Sequence, residues 1–199
     1  MNHFSRHDNL PMSLYRAEQS QELDRIAMEE FEIPGFTLMR RAGKALFQVL
    51  LRNHPDVEKI TVFCGTGNNG GDGYVIATLA CQHGINVEII QVGQVSRMKK
   101  DASQARQLAV NDGIAIVDFE PNLTIKTGVV VDAILGTGAS GGVRGDSLLA
   151  IESINSAHLP VIAADIPSGI CADTGKLLNK AVYAEHTVSF ISVKQGLLT

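Results

Sequence analysis

Apolar residues recur along this chain in two rhythms, stretches of helical period and short continuous runs, and their alternation predicts an α/β fold. Residues 14–31 carry the first helical pattern, with Leu23, Ile26, Ala27 and Glu30/Phe31 at helical spacing and Ser13 as the expected cap. Pro34-Gly35 breaks it, and a second helix is predicted over 36–53 with Leu38, Met39, Ala42, Ala45, Leu46, Val49 and Leu50 on one broad face. Short Val- and Ile-rich runs at 60–64, 86–92, 115–119, 129–135, 161–166 and 187–193 then read as strands, with helices expected at 71–84, 98–112 and 147–157. Such strands are those covered on both faces, so the pattern predicts a three-layer α/β/α sandwich, Rossmann-like, with a mainly parallel sheet. In that architecture the loops leaving the carboxyl ends of the strands converge on one crevice.

Composition narrows the picture. A chain of 199 residues suits one domain, here expected over 13–199, since residues 1–12 mix Arg, His, Asp and Pro without an apolar core segment. Those residues read as a frayed tail or a cloning remnant rather than a secretory signal. Seventeen Lys+Arg against twenty-one Asp+Glu give a net charge of −4, which argues against nucleic acid. The one tight basic cluster, Arg97, Lys99 and Lys100, reads as a solvated helix start. No run approaches membrane-spanning length. Three cysteines, Cys64, Cys81 and Cys171, lack metal-type spacing and argue for a reducing, cytoplasmic location. The six histidines show no pair at helical ligand spacing, which argues against a transition-metal site.

Three loops could carry chemistry. The strand at 60–64 runs into Gly65-Thr66-Gly67-Asn68-Asn69-Gly70-Gly71-Asp72-Gly73, where glycines expose backbone N–H groups and the amides and carboxylate supply acceptors. Gly65, Gly67 and Gly70 satisfy the dinucleotide fingerprint, yet the acid expected at the end of the second strand is missing, because Ile89, Ile90, Gln91 and Val92 stand there. That disfavours a hydride-transferring dehydrogenase. The strand at 129–135 places Asp132 in an apolar run, where a carboxylate is costly unless it holds a cation or accepts backbone N–H bonds. The strand at 161–166 ends in Asp165-Ile166-Pro167-Ser168-Gly169, and Asp165 reads either as a functional carboxylate or as a turn or cap residue. Asn69, Asp132 and Ser168 could lend oxygen to one point, and their single formal charge suits K⁺ better than Mg²⁺.

These three ordered motifs, Gly65 to Gly73, Val131-Asp132-Ala133-Ile134-Leu135-Gly136-Thr137-Gly138, and Asp165 to Gly169, resemble the NAD(P)HX epimerase family, also called the YjeF N-terminal domain. The resemblance covers almost the whole chain after the leader, and 193–199 resembles the junction at which bifunctional members continue into a nucleotide-dependent dehydratase. It implies epimerisation at C6 of hydrated NADH and NADPH, so that the R form becomes available to a dehydratase acting on the S form. It further implies substrate contacts from Asn68, Asn69, Gly70, Gly71, Asp72, Gly136, Thr137, Gly138, Ala139, Ser140, Gly141, Gly142 and Asp165, K⁺ held by Asn69, Asp132 and Ser168, and a homodimer. Ile170-Cys171 departs from the Leu-Asp pair more usual in the family. Asp165 is the expected catalytic acid and base, acting through either an iminium or a ring-opened route. A non-catalytic nucleotide-binding or interaction module on the same fold is the alternative.

Overall fold

Six strands form where the short apolar runs lie: Lys59–Cys64 (β1), Asn86–Gln91 (β2), Ala115–Asp118 (β3), Val129–Ala133 (β4), Val161–Ala164 (β5) and His186–Val188 (β6). The computed structural model describes residues 13–199, and the expected leader over 1–12 lies outside the described residues. All strand pairs are parallel, in the order β3-β2-β1-β4-β5-β6. The chain leaves β3 at one edge and returns beside β1, which makes the gap between β1 and β4 the topological switch point.

The helices are Ala17–Glu29 (α1), Gly35–Asn53 (α2), Asn68–Gln82 (α3), Lys100–Asn111 (α4) and Asp146–Ala157 (α5). Period-two alternation sorts the strand side chains between the layers. Ile60, Val62, Val87, Ile89, Val129, Val131 and Ile162 pack with Met39, Leu46 and Leu50 of α2, Tyr74 and Ile76 of α3, and Ala105 and Ala109 of α4. Phe63, Ile90, Val130 and Val161 meet Ile151 and Ile154 of α5, together with Leu178 and Val182 from the loop before β6. Each fully buried Ile or Leu in these layers contributes about 1.5–3 kcal/mol. α3 lies against the sheet and is buried along most of its length.

The departures from expectation lie at element ends. α1 starts at Ala17 rather than near Leu14, because Tyr15 is spent on a parallel bridge to Lys194. Its first turn is held by the Gln19 side chain, which accepts the Arg16 N–H at 2.9 Å, and by Asp173, which accepts the Ala17 N–H at 2.7 Å. Ser13 is therefore not the cap. β3 is an exposed edge rather than a strand covered on both faces. The run at 187–193 pairs only through Val188, since Ile191 takes a left-handed φ of 63° and turns the chain away. Among the described residues no helix is long and apolar enough to cross a membrane.

Candidate active site

α3 begins at Asn68, three residues before the expected start at Gly71, so the Asn-Asn pair forms its first turn and leaves unpartnered N–H groups facing the loop. Gly65 and Gly70 are required by packing. A Cβ on Gly65 would strike the Ile134 carbonyl, and one on Gly70 would strike the Gly65 carbonyl. Gly65 thus lets the loops after β1 and β4 meet, Gly70 lets the start of α3 close on Gly65 within its own loop, and Gly67 faces open space.

A cavity of about 770 Å³ opens where the loops meet, a volume typical of cofactor sites. Asn68, Asn69, Asp72, Gly136, Thr137, Gly138, Ala139 and Asp165 line it, as expected. Gly70 and Gly71 are buried behind its wall, Gly71 against Met39. Ser140, Gly141 and Gly142 are exposed and lie beyond the wall, with Gly142 beside the Asn179 side chain. Arg97 and Lys99 also line the cavity, on the β2 side. Both are exposed and Lys99 immediately precedes α4, in keeping with a solvated helix start.

Asp165 sits just past β5 with φ of 66°, a conformation costly for a residue with a Cβ and common where backbone strain serves a site. Its backbone N–H is held by the Val188 carbonyl at 2.8 Å, and its Oδ1 accepts the Phe190 N–H at 3.3 Å. Lys194, only 2% exposed, donates to the same Oδ1, to the Phe190 carbonyl at 2.7 Å and to Ser189 Oγ at 3.1 Å. All three ammonium protons are therefore used. The turn at Ile191 and the Tyr15 bridge deliver this lysine to the strand ends, and the period of the hydrophobic pattern gives no hint of it.

Three further carboxyl groups, those of Asp72, Asp24 and Asp101, line the cavity. Burial raises the pKa of Asp72 well above the usual carboxylate range, and the charges of Asp165 and Asp24 push the same way, with Lys194 opposing. Burial likewise raises Asp24 of α1, followed by repulsion from Asp165. A carboxyl whose folded pKa exceeds its unfolded value binds more protons when folded. Stability is then fully present below the unfolded value near 3.8 and is lost as pH rises toward the folded one. Asp72→Asn removes that loss. The melting temperature of the variant relative to wild type is expected to rise as pH is raised above about 4, and a difference that stays constant with pH would refute this assignment.

Asp132, fully buried, accepts Ser168 N–H at 2.8 Å, Ser168 Oγ–H at 2.6 Å and Ile134 N–H at 3.2 Å. It is not partnerless, and burial raises its pKa to about 6 against those hydrogen bonds. Ser168 Oγ also accepts the Leu135 N–H at 2.8 Å. Asn69 differs, because both polar atoms of its side-chain amide are buried without a partner. Its Cβ lies within 3.2 Å of where a Gly136 side chain would start, and an Asp165 oxygen lies within 3.5 Å of the same point. An orphaned amide oxygen can serve a monovalent cation, whereas Asp132 and Ser168 are bonded to each other and do not line the cavity.

Gln91, standing where a dehydrogenase keeps its ribose-binding acid, is 1% exposed and occupied. It accepts the Tyr74 hydroxyl and donates to the Cys64 carbonyl at 3.3 Å. Nothing at that position is available to a ribose.

The chain is similar to known proteins over most of its length. The bifunctional NAD(P)H-hydrate repair enzyme Nnr of Coxiella burnetii is 44% identical over 186 residues, 94% of this chain and 38% of that protein. The NAD(P)H-hydrate epimerase of Limosilactobacillus fermentum is 36% identical over 183 residues, 92% of this chain and 88% of that protein. The chain thus spans under two-fifths of the bifunctional relative and most of the single-function one. In fold, the crystal structure of the yeast protein YNL200c matches with a TM-score of 0.82 over 94% of this chain and 83% of that one, at 21% identity. A family model described as YjeF-related protein N-terminus matches residues 35–196, which include all three strand-end loops, and the chain belongs to that family.

Proposed function

We propose that this chain is an NAD(P)H-hydrate epimerase that interconverts the R and S forms of NADHX and NADPHX. The observation that carries the reading is the cavity at the switch point, where Asp165, paired with Lys194, and Asp72 face one space. The lengths of the relatives support it: the segment shared with the bifunctional enzyme is nearly the whole of a protein named as the epimerase alone. A dehydratase, fused or separate, would consume the S product. A cytoplasmic location and a homodimer belong to the same reading.

The chemistry follows from C6, which bears both a hydroxyl and the ring nitrogen. A carboxyl group protonates the hydroxyl, the nitrogen lone pair expels water as the C6–O bond breaks, and a planar iminium remains. Water then adds to either face, and a carboxylate takes the released proton. Two carboxyl groups with different surroundings suit the two directions of transfer. Asp72, whose pKa burial raises, is assigned as the donor, Asp165 takes the proton released by the incoming water, and return of a proton from Asp165 to Asp72 resets the pair. Arg97 and Lys99, on the β2 side, suit the anionic part of the dinucleotide.

Asn69, Asp132 and Ser168 would hold K⁺, which would supply a fixed positive charge beside the substrate loops. At about a hundred times its dissociation constant, bound K⁺ adds roughly 2.7 kcal/mol of stability. A higher melting temperature in KCl than in tetramethylammonium chloride of equal ionic strength is expected, and Asn69→Ala should abolish the difference. Equal melting temperatures for wild type in the two salts would rule the ion out. The activity itself is tested by separating the epimers chromatographically. Purified R-NADHX should convert to the equilibrium mixture much faster with the protein than in buffer alone.

A further inference from the structure

We propose a second metal site, for a transition-metal dication of the Zn²⁺ class, formed by His54, Glu185 and His186 at the amino-terminal end of the sheet. It lies at the end opposite the Asp165 cavity and does not rest on the epimerase reading. His54 is the residue after the last turn of α2, where its backbone N–H still bonds the Leu50 carbonyl at 2.8 Å. Glu185 immediately precedes β6, with its N–H on the Val161 carbonyl at 2.8 Å, and His186 opens β6 opposite Ile162. More than 130 positions separate the two histidines in sequence, which is why ligand spacing along the chain gave no sign of them.

The fold places one ligand atom from each residue within 4.8 Å of the others. The imidazole rings stand 6.4 Å apart between centroids at 66°, so they do not stack face to face. A second, independent observation points to a ligand: His54 Nε2 is buried and has no hydrogen-bond partner. A buried ring nitrogen without a partner is costly, and a metal ion would satisfy it. Two imidazoles and one carboxylate are a borderline donor set that binds Zn²⁺ with a fourth position left to water. The exposed Glu185 and half-buried histidines leave a route for that water.

Such an ion would tie the end of α2 to a three-residue edge strand that pairs on one side only. Its expected effect is therefore on stability. The test is titration of Zn²⁺ into protein freed of affinity tag and metal, by calorimetry, alongside His54→Gln, His186→Gln and the control His83→Gln. Wild type and the control are expected to bind one equivalent and melt higher with it. The two site variants should bind at least tenfold more weakly while keeping the circular dichroism of the metal-free wild type. A site variant that fails to fold is replaced by Glu185→Gln, for which the same weakening is expected. Absence of stoichiometric binding by wild type, or equal affinity in wild type and the site variants, would overturn the proposal.

Discussion

Asp165→Asn is expected to slow epimerisation by roughly a hundred- to ten-thousand-fold, the usual worth of a positioned acid or base. The substitution isolates the proton. Asparagine matches aspartate in size, tolerates the left-handed φ of 66° that this position requires, and keeps an oxygen to accept the Phe190 N–H. What it loses is the capacity to take up and return a proton. Binding of the oxidised cofactor should change far less than the rate. Since hydrated cofactors also epimerise unaided, the uncatalysed rate at the same pH must be subtracted. A variant within threefold of wild type would remove Asp165 from the proton transfer and leave Asp72 as the carboxyl group to test next.

Lys194→Met should cost about 3–5 kcal/mol of stability, the typical penalty for removing one partner of a buried ion pair. In a domain of this size each kcal/mol is worth about 2–4 °C in melting temperature. The loss arises because Asp165 is left close to Asp72 and Asp24 without the one cation that opposes their mutual repulsion. The double variant Asp165→Asn, Lys194→Met removes both charges and should recover part of the loss, because residues in direct contact do not add. Should the double variant be as unstable as the sum of the single ones, the pair is not the source of the effect. Activity should fall as well, since Lys194 orients the carboxylate through Oδ1.

Much of this was legible in the residues. Short Val-rich runs separated by helical patterns predict a parallel sheet correctly, because a strand covered on both faces has no other affordable composition. The glycine loops mark the switch point because a side chain at Gly65 would strike the Ile134 backbone where the loops after β1 and β4 meet. What sequence reading lacked was contact between distant segments. Lys194 lies in what reads as a strand or junction, and only the Tyr15 bridge and the Ile191 turn carry it to Asp165. Asp24 appears as an ordinary polar position of an amphipathic helix. Asp132 reads as a carboxylate that holds a cation or accepts backbone N–H bonds, and Ser168 and Ile134 supply the second. The partnerless group is Asn69, and burial of its amide could be known only from the fold.

Complete repair of the R epimer is the most direct measurement of the proposed activity. R-NADHX supplied with a dehydratase specific for the S form, and with its nucleotide, should return to NADH only at the slow spontaneous rate of epimerisation. Addition of this chain is expected to bring the rate to that seen with S-NADHX as substrate, and the Asp165→Asn protein should not. Unchanged recovery of NADH from the R epimer, with folded wild-type protein and K⁺ present, would contradict the account.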